Sequence, residues 1–456
     1  MSMDMNSLDS EDIPQRYDAE FSRMPDVDLL AACASTICRP RSNPDSFSLH
    51  APLELLARYL LSSIAPPANM PAARIRMLMV AAQYAEGGEF QDVPIEARSA
   101  SPGELRQAIE NGDVVAADAC SANLSRELDD ISLRQVFAPL ASERLGGAGH
   151  TPILLNYVGR LSTIGARQVQ CLVRNFARAL AVDPKQRISW HHRQDFSLAP
   201  ASDGDLVDRL CEAVRTTKLA ETEPPGGIFG LVDAAERAEA LAKQLDFMVG
   251  VDWRNPVLRM HAGTALSRMA ALGMLCEPET HAKYGWTHCL TLPQAAWLAA
   301  SYTDEPSHSM ALAGSFVIGM RRGLAKNDWN APQIGRRERS ADDLHAALRH
   351  GPEEAQAVGL ELRPEEMRAA FACLAVKASA RSDAHLVKYT LACIDAAALD
   401  PGSDCLYLAA AAKLNAIWLR DEPEPVVNAY LGSISAGATF STSPLVGEVA
   451  RSDGEA

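Results

Sequence analysis

The sequence lacks the marks of several large protein classes, and each absence narrows what the chain can be. None of its 10 cysteines forms a C-x-x-C pair, which removes the thioredoxin-type redox motif and the usual zinc knuckle. Cys33 and Cys38 stand closest, and their wider spacing makes neither. No run approaches the roughly 18 uninterrupted apolar residues of a membrane span. There is no basic excess: 43 Lys and Arg against 58 Asp and Glu leave a formal charge of -15. Nucleic acids and anionic membranes both need a positive footprint, so neither is expected as a partner. The one basic stretch, Arg336, Arg337 and Arg339, lies among Pro, Gly and Ser and reads as a solvated loop. Short alternating β-branched runs joined by hairpin turns are almost missing, which argues against a sheet protein. No fixed repeat period supports a helical solenoid.

What is present is helical. At 47% hydrophobic residues over 456 positions the chain can bury a large core. Apolar residues recur at helical spacing in PLELLARYLLSSI from Pro52, AARIRMLMVAAQYA from Ala72, and LRQAIENG with its glycine stop. A long apolar stretch from Pro152 to Val182 predicts two helices meeting near Gly165. A helix follows around LVDRLCEAVR, then a Pro/Gly turn at PPGG and a helix over LVDAAERAEALAKQL. Further segments are NPVLRMHAGTALSRMAALGML, QAAWLAASY and SMALAGSFVIGMRRGLA. After a polar loop near 327–341 come EEMRAAFACLAVKASA, DAHLVKYTLACIDAAAL and CLYLAAAAKLNAIWL. These predict an all-α protein with a single large multi-helix domain over 27–430 and a buried metal site. Residues 1–26 are polar and expected to fray, and 431–456 change composition abruptly and are expected to be a disordered tail. Cys171, Cys373 and Cys393 fall in apolar runs, where free cysteine acts as a small hydrophobe. With an acidic start that lacks an apolar signal region, the expected location is cytoplasmic.

Four of the 11 histidines stand out by placement. His50 precedes Ala51-Pro52, His150 precedes Thr151-Pro152, and His288 lies in THCLTLPQAAW. Proline favours the first helical turn, so each of the three is expected at the mouth of an apolar helix. Imidazoles held at helix starts can converge in a bundle core, where metal sites are often built. His385 differs, falling in the first turn of a helix capped by Ser382 or Asp383. Lys388 follows on the same face among apolar neighbours, with Asp395 two turns further on as a distant partner. A buried lysine is costly unless paired, neutralised or modified. His261, His281 and His308 also lie near apolar segments and can replace one of the four, while His191-His192 sits in a polar loop.

These segments resemble the questin oxidase-like family. The matching pieces are L-H-A-P-L around His50, G-H-T-P-I around His150, H-C-L-T-L-P-Q-A from His288, and D-A-H-L-V-K from Asp383 to Lys388. The last two are the most specific, and together the pieces run from about 45 to 420. The resemblance implies an α-helical oxygenase that opens a ring or cleaves a C–C bond in a small aromatic, polyketide- or quinone-like substrate using O2. It also implies non-haem iron held by His50, His150, His288, His385 and a carboxylated Lys388, with NADPH admitted as an external reductant. The chain departs from the family pattern where H-G is H-A and H-T, where Leu49 replaces an asparagine, and where Leu391 replaces an acidic residue. Those changes spare the ligands and touch the substrate wall.

The rival readings make distinct demands. A flavin- or NADPH-dependent Baeyer–Villiger monooxygenase needs a glycine-rich turn between strand and helix. The nearest candidate, Gly226-Gly227-Ile228-Phe229-Gly230, follows two prolines instead. A zinc hydrolase of the H-E-x-x-H type lacks its motif. A non-enzymatic helical scaffold predicts exposed rather than buried histidines.

Overall fold

The computed structural model describes residues 8–65, 70–91, 93, 99–143, 149–182, 203–224, 230, 231, 245, 248 and 251–421. In chain order its α-helices are α1 Ile13–Glu20, α2 Asp26–Ile37, α3 Ser46–Ser62, α4 Met70–Glu86, α5 Pro102–Glu110, α6 Val114–Glu127, α7 Asp130–Glu143, α8 Thr151–Thr163 and α9 Val173–Val182. They continue with α10 Asp203–Arg215, α11 Pro256–Cys276, α12 Thr287–Ala299, α13 Pro306–Leu324, α14 Ala341–His350, α15 Pro352–Leu360, α16 Met367–Ser379, α17 Ala384–Leu399 and α18 Asp404–Asp421. Among the described residues β-structure amounts to two isolated bridges, Arg41 with Phe90 and Arg339 with Leu362. The all-α expectation holds. None of the described helices is long and apolar enough to cross a membrane.

The single-domain expectation is corrected. The chain forms two compact units: one from residues up to 92, 160–172 and from 332 onward, the other from 93–159 and 173–331. One of the four boundaries, at 159/160, falls within α8, where no linker composition marks it.

In the first unit α3 packs on α4 and α17, and α18 on α15 and α17. Helix α18 is buried continuously from Cys405 to Trp418, and its alanine run lets neighbours approach closely. Gly359 on α15 shows how closely: a Cβ there would meet the Ala409 backbone at 2.7 Å. In the second unit α12 packs against α11 and α13, and α6 against α9.

Two boundaries differ from the sequence expectation. The frayed start is corrected for residues 8–26, since Ile13, Tyr17 and Phe21 are buried. Arg74 of α4 binds that segment, donating to Tyr17 Oη at 2.7 Å and to the carbonyls of Phe21 at 2.9 Å and Met24 at 2.6 Å. The second is the start of α3, which begins at Ser46 rather than near Pro52. Asp45 accepts from Ser48 N at 2.9 Å while Ser48 Oγ accepts from Asp45 N at 3.2 Å. This reciprocal cap outweighs the proline signal. Residues 1–7, the helix expected over LVDAAERAEALAKQL apart from Leu231 and Leu245, His191-His192 and the 431–456 tail lie outside the described residues. None of the ten cysteines is in a disulfide.

Candidate metal centre

The first unit brings together His50, His385 and Lys388. His50 lies in the second turn of α3, with Nδ1 2.7 Å from the carbonyl of Ser46 one turn back. A carbonyl only accepts, so Nδ1 carries the proton and Nε2 keeps its lone pair. The ring of His385 on α17 faces it, centroids 4.7 Å apart and planes tilted by 52°. Their ligand nitrogens lie within 4.8 Å of each other. Burial, then the charge of Lys388, pushes His50 down to about 4. The same two causes, with His50 as a third, lower His385 further. Both rings are therefore neutral near pH 7, the form that binds metals.

Asp383 fixes the start of α17. It is the N-cap, and its Oδ1 accepts from His385 N at 2.7 Å and Leu386 N at 3.1 Å. Its 3.4 Å approach to His385 Nδ1 is not an ion pair, because that ring is neutral. One turn on, Lys388 is 1% exposed, and its Nζ has no hydrogen-bond partner among the described residues. Burial lowers its pKa to about 7, with Asp383 and Glu54 opposing. Asp395 is not its partner: it accepts from Arg160 at 2.5 and 3.0 Å.

The second unit brings together His150 and His288, both buried. His150 immediately precedes α8, as expected, and follows Gly149, whose φ of +76° is left-handed backbone that favours glycine. His288 is the second residue of α12, but that helix has no fresh start. A π-helical turn, Ala282–Trp286, runs directly into α12. His288 Nδ1–H donates to the Tyr284 carbonyl within that turn, so its Nε2 also presents a lone pair. Single π-turns are frequent at functional sites.

This turn is held from behind. Trp286 packs edge-to-face on Trp329, centroids 5.5 Å apart. Trp329 Nε1 donates at 2.9 Å to Glu277, a buried carboxylate that also accepts from the backbone N–H groups of Lys326 at 2.9 Å and Asn327 at 3.1 Å.

The Nε2 atoms of His150 and His288 are 3.1 Å apart, with the rings near perpendicular at 80°. Adjacent donors of an octahedral ion with bonds of about 2.1 Å lie about 3.0 Å apart. The spacing suits two neighbouring ligands and equally an N–H···N hydrogen bond between the two rings, and imidazole suits iron, zinc or copper alike. The alternative histidines are less apt. His281, for one, faces Glu223 at 3.4 Å.

Sequence reasoning missed the supporting groups. Glu54 and Arg58 follow His50 at four-residue steps on α3, a charged ladder in an apolar helix that was open to notice. The Ser46 and Tyr284 carbonyls carry no sequence signal, being main chain. Compared with family models, curated proteins and solved structures, the chain matches none of them.

Proposed function

We propose that this chain is a metal-dependent oxygenase of the questin oxidase-like type, acting with O2 on a small aromatic, polyketide- or quinone-like substrate. His50, His150, His288, His385 and Lys388 would hold a non-haem iron. The observation that carries the reading is the 3.1 Å approach of two buried Nε2 atoms in His150 and His288. His288 and His50 each support it by spending Nδ1–H on a backbone carbonyl one turn earlier. Such outer contacts fix the tautomer and aim the ligating nitrogen. Burial of His150, His288 and His385 speaks against the scaffold reading.

When bound, the iron supplies the redox chemistry through which O2 reacts. The chain's own part is to position and to exclude water. The Nδ1–H donations of His50 and His288 leave their Nε2 lone pairs available, and the amine of Lys388 is buried. Carboxylation of the neutral amine joins Nζ to CO2 by a new N–C bond and releases one proton, giving an anionic oxygen donor; starting from the ammonium, two protons leave.

The test is metal content and oxygen uptake of the purified chain after anaerobic loading with Fe(II). One iron per chain is expected, lost in His150→Ala and in His385→Ala alike. Oxygen uptake is expected with a hydroxylated quinone or anthraquinone probe, assayed with and without NADPH. Two ions per chain, each lost with its own histidine pair, would end the five-ligand assignment. A metal-free wild type would end the reading itself.

A further inference from the structure

Three elements of the first unit meet at Arg58. It is fully buried, and its Nε donates to Glu54 Oε1 at 3.1 Å while a second guanidinium nitrogen reaches the same oxygen. The remaining N–H groups donate to the main-chain carbonyls of Ser379 and Arg381. Ser379 ends α16, and Arg381 lies two residues before Asp383, the cap of α17. Glu54 is also buried, with Arg76 of α4 at 3.9 Å. His50, Glu54 and Arg58 share one face of α3. A single planar fork therefore ties the helix of His50 to the turn that launches His385 and Lys388.

We propose that Glu54 and Arg58 are positioning residues that set His385 against His50 for metal binding, an inference resting on the metal-centre reading above. Holding α3 to α17 does not require charge, since apolar packing joins helices without the desolvation penalty of buried ions. What a guanidinium fork adds is direction: several donors in fixed geometry, each with a defined acceptor. Ligand sets need placement within about 0.5 Å. Here the turn before α17 is fixed at two carbonyls by the helix that bears His50.

The experiment uses the full chain loaded with Co(II) alone, whose visible bands report ligand geometry, followed by chelator challenge. Arg58→Lys keeps the charge and loses the fork; Glu54→Gln keeps the shape and loses the charge. Asp395→Asn is the control, because it breaks the part-buried Arg160–Asp395 pair further along the same helix. Arg58→Lys and Glu54→Gln are expected to release cobalt at least ten-fold faster, with shifted bands. Asp395→Asn is expected to lose stability while keeping both the bands and the release rate. Wild-type-like release from both brace variants would overturn the proposal, as would a control that loosens the metal equally. If Arg58→Lys does not fold, Glu54→Gln decides. Failure of wild type to bind cobalt or iron would remove the metal-centre reading before any variant is compared.

Discussion

Replacing Lys388 by methionine should make the metal-free protein more stable. Burial lowers the lysine from its ordinary 10.5 to about 7, Asp383 and Glu54 only partly opposing. Between those values the unfolded chain holds a proton that the folded chain has shed, so stability rises with pH across the window. The full cost applies below about pH 7. At about 1.4 kcal/mol per pH unit it comes to roughly 5 kcal/mol at pH 7 and about 2 kcal/mol at pH 9. Methionine has a similar length and no charge to desolvate, so Lys388→Met should recover most of that. The assay is denaturant unfolding of chelator-treated, CO2-depleted protein at the two pH values. A gain at pH 7 that shrinks by about 3 kcal/mol at pH 9 is expected. A variant less stable than wild type at pH 7 would refute the reasoning, showing an ammonium held by Asp383 and Glu54. A residue that weakens the fold and has no hydrogen-bond partner among the described residues is a natural candidate for a chemical role.

Other outcomes follow from the same geometry. With His50 lowered from 6.5 to about 4, the metal-free protein should lose about 3 kcal/mol as pH falls across that window and nothing more from this group below it. His50→Asn should flatten that part of a stability–pH curve, and an unchanged curve would count against a neutral, half-buried ring. Glu277→Gln exchanges an acceptor oxygen for an NH2 facing N–H donors and should cost about 2–4 kcal/mol; wild-type denaturation would show that the carboxylate does not hold the 326–329 turn. Gly359→Ala forces α15 off the Ala409 backbone and should cost about 1–3 kcal/mol despite alanine's better helix propensity, read as a lowered unfolding midpoint.

How far the sequence was legible depended on where each signal resides. Helical periodicity is written in side chains, so α4, α11, α16, α17 and α18 could be read directly. The short polar helices were not, because Ile13, Tyr17 and Phe21 gain their meaning only once Arg74 lies across them. Proline suggested a late start for α3, while the decisive cap was Asp45 with Ser48. Asp395 shares a face with Lys388, yet seven residues of helix span about 10 Å, and Arg160 arrives from another helix to take it. The histidines were legible through their motifs. Their orientation was not, since it depends on carbonyl oxygens that every residue possesses.

The nested path of the chain also bears on how it is made. The first unit needs α14 to α18, yet the whole of the second unit and the return through 160–172 are synthesised before them. Emerging from a ribosome, α3 and α4 carry apolar faces whose partners α16 and α17 do not yet exist. They must wait through most of translation, a situation that favours chaperone capture and off-pathway association. His50 likewise meets His385 only near the end of synthesis. On the metal-centre reading, capture by this pair would be a late event, after the chain is nearly complete, and truncation before α17 leaves His50 without His385.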